Sequence, residues 1–111
     1  MELQEHKNDS FIIIEIIGRL DTTTYGILEK RLSELIQEGQ IKIVVDCGKM
    51  DYISSSGLRI LLIALKKTAL AKGKFLLCGL QENIKEIFDI SGFTTIFEIY
   101  QTREEAVEEM K

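Results

Sequence analysis

The chain has 111 residues and a formal net charge of −4, with 45% hydrophobic and 29% charged residues. Its length fits one domain over residues 1–111 with one core, and its composition is that of a globular protein. The acidic balance, with four of eighteen carboxylates in the segment 104–109, argues against a nucleic acid or an anionic membrane surface as the partner.

Three apolar runs, over residues 11–17, 41–45 and 75–78, predict β-strands. Continuous apolar runs, in place of alternation, are typical of strands buried on both faces of a sheet. We expect residues 2–6 to pair with the first run as an edge strand across a polar turn. Residues 96–99 indicate one more strand or extended segment.

Four stripes of apolar residues at helical spacing predict four helices. Gly39 and Gly73 follow the first two stripes, where we interpret them as C-terminal caps. The last helix has Thr102 as its expected N-cap and Glu105 at capping-box spacing. In chain order, the stripes consist of Tyr25, Leu28, Leu32, Leu35 and Ile36, then Leu58, Leu61, Leu62, Leu65 and Ala69, then Ile84, Ile87 and Phe88, then Ala106, Val107 and Met110.

This order of elements predicts an α/β fold. Strands that alternate with helices imply parallel strands joined by right-handed crossovers. We expect a mixed, mostly parallel sheet of four to five strands with about four helices, in the order ββαβαβα(β)α. Functional loops in such sheets lie at the carboxyl ends of the strands. The loops over residues 18–24 and 46–57 fit this position, and we expect them to lie side by side.

Three serines, Ser54, Ser55 and Ser56, precede a helix that we expect to begin near Gly57. One interpretation is that a serine here is only the N-cap of that helix. The other is phosphorylation of Ser55 or Ser56, because a helix N-terminus tolerates a phosphoryl group. The added charge, about −1.5 to −2 at pH 7, would change binding to a docked partner without unfolding the domain.

Two charged residues are candidates for a role at these serines. Asp21 would orient the serine hydroxyl or accept its proton; alternatively it caps the first helix or forms an Asx-turn with residues 22–24. Arg59 follows Ser55 by four residues and Ser56 by three, a spacing from which it would reach a phosphate; alternatively it is a solvated surface residue.

The sequence has no pattern of an enzyme. The single histidine, His6, has no feature of a catalytic base, and neither a nucleophile elbow nor a glycine-rich phosphate loop is found. Cys47 and Cys78 do not make a zinc site, and we expect both to be free, buried thiols in a reducing compartment. We expect no cofactor, no metal and no catalytic residue. The polar N-terminus has no signal peptide, so we expect a cytoplasmic protein.

Four segments, in order along essentially the whole chain, resemble the STAS domain family of anti-sigma factor antagonists. They are residues 43–58, which end in Ser54-Ser55-Ser56-Gly57-Leu58, then Gly18-Arg19-Leu20-Asp21, residues 75–79 and residues 87–93. The resemblance implies the STAS fold and partner switching that regulates transcription. The unphosphorylated antagonist would bind an anti-sigma factor that is also an ATP-dependent serine kinase with a histidine-kinase-like ATPase fold. Serine phosphorylation would release it, and a metal-dependent serine phosphatase would reset it.

By the same resemblance the acceptor is Ser55, with Ser56 as the alternative and Ser54 a weaker third. The residues expected around it, in the partner-binding surface, are Asp21, Thr22, Ser54, Ser56, Gly57 and Arg59. Two positions depart from the family: Ser54 replaces an aspartate, and Arg59 stands where many members have glycine, which indicates a different kinase partner.

Other functions remain open at this point. The domain would instead be a STAS regulatory subunit of another partner-switching system, of a secretion pathway or of an ABC-type lipid transporter. A small-ligand or nucleotide sensor at the strand ends is the third hypothesis. We expect a monomer, because the predicted core uses most of the apolar residues.

Overall fold

The computed structural model of the protein describes residues 1–111 and contains five strands and four helices. They are β1 (Glu2–Lys7), β2 (Ile12–Leu20), α1 (Tyr25–Gln37), β3 (Lys42–Ile53), α2 (Ser55–Leu70), β4 (Lys74–Cys78), α3 (Glu82–Ile90), β5 (Glu98–Tyr100) and α4 (Arg103–Met110), with a 3-10 turn at Phe93–Thr95.

The five strands form one sheet in the order β1-β2-β3-β4-β5. β1 is antiparallel to β2, and every other neighbouring pair is parallel. The predicted α/β fold with a mixed, mostly parallel sheet is therefore confirmed. Because β2, β3, β4 and β5 point the same way, the loops that follow them share one edge of the sheet.

β3 is longer than predicted. The apolar run ends at residue 45 but the strand continues to Ile53, so the prediction of a loop over residues 46–57 is wrong for most of its length. The second half of β3 pairs in parallel with the second half of β2, across two register shifts. These irregularities interrupt the alternation of side chains, so the buried Cys47, Met50 and Ile53 do not follow a period of two.

Other boundaries also differ from the predictions. β2 continues to Leu20, so the prediction of a loop over residues 18–24 is wrong for its first three residues. α2 begins at Ser55, before Gly57, and β5 lies slightly later than the run 96–99. Gly39 is a C-terminal cap with φ +88°, as predicted. At the end of α2 the left-handed residue is Lys72, with φ 63°, so the interpretation of Gly73 as that cap is wrong. The predicted capping box of α4, between Thr102 and Glu105, is confirmed.

The two faces of the sheet bury separate apolar clusters. The larger cluster includes side chains of α1, α2 and α3, and Cys47 belongs to it. The smaller cluster lies on the other face, under α4, and contains Ala106, Met110 and Cys78. Both cysteines are free and buried, as predicted. Burial raises the pKa of both thiols, that of Cys78 to about 12.

A network of charges holds the start of α4 to this second face. Glu15 of β2 and Asp46 of β3 are both buried. Arg103 donates from Nε to Asp46 Oδ2 at 2.8 Å, and its Nη2 lies 3.3 Å from Glu15 Oε2. Lys49 is a more distant partner, with Nζ 3.8 Å from Glu15 Oε2. One guanidinium therefore compensates two buried carboxylates.

Replacing Arg103 by methionine is expected to lower the free energy of unfolding by about 2 kcal/mol, because both carboxylates lose their cation. The control is Lys49→Met, which removes the same charge from a side chain that is 64% exposed. The control is expected to cost less than about 0.5 kcal/mol. Urea denaturation of both variants measures the difference, and equal effects would contradict the role of Arg103.

Candidate functional site

The carboxyl ends of β2 and β3 lie side by side and bring two segments of the chain together. Leu20, the last residue of β2, pairs with Ile53, the last residue of β3. The backbone N–H of Ser54 then donates to the Leu20 carbonyl oxygen at 2.9 Å. The segment after β2 and the start of α2 are therefore neighbours, as the sequence predicted for residues 18–24 and 46–57.

The three serines occupy different positions at the start of α2. Ser54 is the N-cap, and its Oγ accepts a hydrogen bond from Gly57 N at 3.2 Å. Ser55 and Ser56 lie in the first helical turn, and neither hydroxyl has a hydrogen-bond partner in the protein. Ser55 is exposed, whereas Ser56 is half-buried. The capping interpretation thus applies to Ser54, and Ser55 is the most exposed residue of the three.

Gly57 fixes the position of this turn against the end of β2. It is buried, and a Cβ at this position would lie 2.8 Å from Leu20 Cγ and 3.0 Å from Ile53 Cγ1. The absence of a side chain therefore allows the helix start to sit directly on the two strand ends. The first turn of α2 contains no acidic residue. Its free backbone N–H groups and the helix dipole favour negative charge at Ser55 and Ser56.

Asp21 forms an Asx-turn, one of the two alternatives that the sequence left open. Its Oδ1 accepts from Thr23 N at 2.9 Å, from Thr23 Oγ1 at 2.8 Å and from Thr24 Oγ1 at 3.2 Å. Arg19 Nε donates to Oδ2 at 3.3 Å. No hydrogen bond joins Asp21 to a serine hydroxyl, and α1 begins after Thr24 instead. The role of Asp21 at the acceptor serine stays a prediction.

Hydrogen bonds from Thr23 lower the pKa of Asp21 to about 2. The bond from the Thr23 hydroxyl has the largest effect, followed by the bond from the Thr23 backbone N–H. Because this pKa lies below the ordinary value of about 3.9, the charged turn stabilises the fold above about pH 4. That contribution is lost as the pH falls through about 2. We expect the carboxyl carbon of Asp21 to titrate by NMR with a midpoint of about 2.

The variant Thr23→Val tests the cause of this shift. It removes the hydroxyl donor but keeps the backbone N–H, so the midpoint is expected to move part of the way back toward the ordinary value. A wild-type midpoint near the ordinary value, or no movement in the variant, would show that the Asx-turn does not hold the carboxylate charged.

The structure exposes two apolar side chains that the sequence analysis missed. Tyr52, near the end of β3, is 40% exposed, and Ile27, in the first turn of α1, is 55% exposed. The guanidinium of Arg19 lies 4.1 Å from the centroid of the Tyr52 ring, which is a cation–π distance. The sequence contained a signal for the exposure of Ile27, because this apolar residue lies outside the buried stripe of α1. It contained none for Tyr52, which was predicted to lie in a loop.

The two remaining predicted residues are both exposed. Thr22 makes no side-chain hydrogen bond within the protein. Arg59 makes no ion pair, and with Ser56, Tyr25 and Glu29 it lines a cavity of about 270 Å³. The structure therefore places Arg59 beside Ser56 with its charge unpaired.

Neither a metal centre nor a membrane span is recognisable in the fold. No three His, Cys, Asp or Glu side chains are grouped so that they would hold a metal ion. None of the helices has the length and apolar character needed to cross a bilayer.

Comparison with known proteins gives consistent matches along the whole chain. Residues 2–106 match the family model of the STAS domain. BtrV of Bordetella bronchiseptica, a protein assigned as an anti-sigma factor antagonist, is 35% identical over 111 residues, which cover 100% of this chain and 96% of that protein. The anti-sigma F factor antagonist of Paenibacillus polymyxa is 26% identical over 100% of this chain and 94% of its own.

Solved structures show the same fold at lower identity. The crystal structure of a Thermotoga maritima protein, also assigned as an anti-sigma factor antagonist, has a TM-score of 0.92 at 23% identity and covers 97% of this chain and 93% of that one. The Bacillus cell fate determinant SpoIIAA, in its phosphorylated form, has a TM-score of 0.79 at 20% identity, over 99% of this chain and 100% of that one.

Proposed function

This chain belongs to the STAS domain family, and on that premise we propose that it is an anti-sigma factor antagonist whose binding is switched by phosphorylation of Ser55. Its relatives are regulatory binding proteins, so the chain is not an enzyme. In its unphosphorylated state it binds an anti-sigma factor that is also a serine kinase. Phosphorylation releases it, and the anti-sigma factor becomes free to bind its sigma factor.

The observation that carries the proposal is the state of the Ser55 hydroxyl. It is exposed, it has no hydrogen-bond partner, and it lies in the first turn of α2, where no acidic residue stands. A kinase can therefore reach it without breaking an internal contact. Ser54 is occupied as the N-cap and Ser56 is half-buried, which supports Ser55 as the acceptor over the other two.

The surroundings of Ser55 support a switch that acts on binding and not on folding. The N-terminus of α2 favours the added negative charge, so the domain itself tolerates the phosphate. A docked partner that covers the start of α2 would bury a phosphate of about −1.5 to −2 charges. The single positive charge of Arg59 would compensate only part of it, so burial is unfavourable. Release of the partner is the expected result.

The rest of the proposed cycle is what the resemblance to the family implies. The kinase is an ATPase of the histidine-kinase-like fold, and a metal-dependent serine phosphatase removes the phosphate. The antagonist acts in the cytoplasm as a monomer, and the output is regulated transcription.

Phosphosite mapping by mass spectrometry tests the proposal. The protein is incubated with ATP and lysate of its source organism, in parallel with Ser55→Ala and Ser56→Ala variants. One added phosphate that is lost only in Ser55→Ala supports the proposal, and loss only in Ser56→Ala moves the switch to that residue. No phosphate, in a lysate that labels a control substrate, contradicts the switch.

A further inference from the structure

A groove runs between α1 and α2, from the serines at the start of α2 toward the end of that helix. Two cavities of about 280 Å³ and 270 Å³ lie along it. Glu29 and Ile60 line both cavities, so the two adjoin along the groove. It extends from Ser56, at the start of α2, to Lys67 near the end of that helix. With 1.5 Å per residue, this is a length of about 16 Å.

The floor of the groove is apolar and partly accessible. It is lined by Leu32 and Ile36 of α1 and by Ile60, Ile63 and Ala64 of α2. Ile36 and Ile63 are only half-buried, so they offer apolar surface to a ligand. A length of about 16 Å along α2 suits an extended or helical segment.

The rim of the groove is positive, in a chain whose net charge is −4. Arg59 stands at the end near the serines, and Lys30 and Lys67 stand further along. None of these three cations makes an ion pair within the protein, and Glu29 is the single acidic residue of the lining. The local balance of three cations to one carboxylate selects an acidic occupant through electrostatic complementarity.

We propose that this groove is the docking site of an acidic, amphipathic helix of the partner kinase. The inference rests on the proposed function and deepens it, because it names the chemistry of the partner segment. About three helical turns span the groove, and apolar residues at positions i, i+3 or i+4 and i+7 would contact Ile36 and Ile63. Acidic residues on the flanks of that helix would face Arg59, Lys30 and Lys67.

The position of Arg59 connects the groove to the switch. Arg59 lies one helical turn after Ser55 and lines the groove beside Ser56. A phosphate on Ser55 would attract Arg59 and would repel the acidic side chains of the docked helix. Phosphorylation would thus remove one cation from the groove and add a repulsive charge at its end.

Two neighbouring lysines provide a matched test. Lys67 lines the groove, whereas Lys66 is exposed and does not line it. Lys67→Glu and Lys66→Glu change the net charge equally, at two exposed positions of the same helix, and circular dichroism checks that both variants fold. The probe is the purified kinase that phosphorylates Ser55. Calorimetry in the presence of ADP and without ATP prevents phosphorylation and gives the Kd of the kinase for each variant.

Lys67→Glu is expected to weaken binding about 10-fold at low salt, and Lys66→Glu less than about twofold. The difference should shrink as salt increases. Suppose that the wild type binds the kinase and that the two variants either bind equally well or lose affinity equally. The groove is then not the docking site, and the proposed function is unaffected. If the wild type does not bind the kinase, the proposed function and this inference both fail.

Sedimentation of the free chain tests a different occupant. We expect a single species of monomer mass for the wild type and for both variants. A dimer that Lys67→Glu dissociates and Lys66→Glu does not would overturn the inference, because the groove would then be filled by a second copy of the chain.

Discussion

Ser55→Asp is expected to weaken binding to the anti-sigma kinase by about 100-fold, which corresponds to about 2.7 kcal/mol. The substitution puts a permanent charge at the exposed position of the first turn of α2, where the partner would have to cover it. Burial of an added charge in an interface is unfavourable even beside Arg59, because the desolvation penalty can exceed the Coulombic gain. Ser55→Ala should bind like the wild type, because the hydroxyl makes no internal hydrogen bond. Calorimetry with the purified kinase gives all three affinities.

The control for this prediction is Ser10→Asp. Ser10 is an exposed serine in the turn between β1 and β2, at the opposite end of the sheet. It receives the same charge but should change the affinity by less than about twofold. Tight binding by Ser55→Asp, or an equal loss in Ser10→Asp, would show that the site at the start of α2 does not control the interaction.

Gly73→Ala is expected to lower the free energy of unfolding by about 3 kcal/mol. A Cβ at residue 73 would lie 2.0 Å from the carbonyl oxygen of Ile41 and 2.8 Å from its carbonyl carbon. That carbonyl cannot move aside cheaply, because Lys74 N donates to it at 2.7 Å at the start of β4. The melting temperature should fall by about 15 °C. Thermal unfolding followed by circular dichroism measures this.

Gly26→Ala is the matched control for the same substitution. Gly26 is exposed inside α1, and no atom lies within 4 Å of a Cβ built there. Alanine should stabilise the helix by about 0.5 to 1 kcal/mol, through its better helix propensity and a less flexible unfolded chain. Opposite signs are therefore expected for the two variants. Destabilisation by Gly26→Ala, or a tolerated Gly73→Ala, would contradict the open surroundings of Gly26 and the close contact of Gly73 with Ile41.

The sequence predicted the order and type of the elements because the signals for them are local. Continuous apolar runs mark strands buried on both faces, and each helix carries its own stripe. The end of β3 gave no such signal, since register shifts against β2 disturb its alternation. The requirement for glycine at residue 73 is also non-local: it comes from Ile41, which is distant in sequence.

The candidate site was likewise predicted only in part, where its signals are local. The serines were found because a serine run before a helical stripe is a local pattern, and the Asx-turn of Asp21 was one stated alternative. The exposed Tyr52 and the groove beside Lys67 were missed. The groove depends on how α1 packs against α2, and the exposure of Tyr52 depends on the length of β3. Neither property is encoded within one segment.

The two buried cysteines can report on the opening of the fold, because each is covered on a different face of the sheet. Only a thiolate reacts quickly with an alkylating reagent, and burial with a raised pKa keeps both thiols protonated and covered. Cys78 becomes accessible when α4 leaves its face of the sheet, whereas Cys47 requires the other face to open. The labelling rates of the two residues would separate local detachment of the last helix from global unfolding.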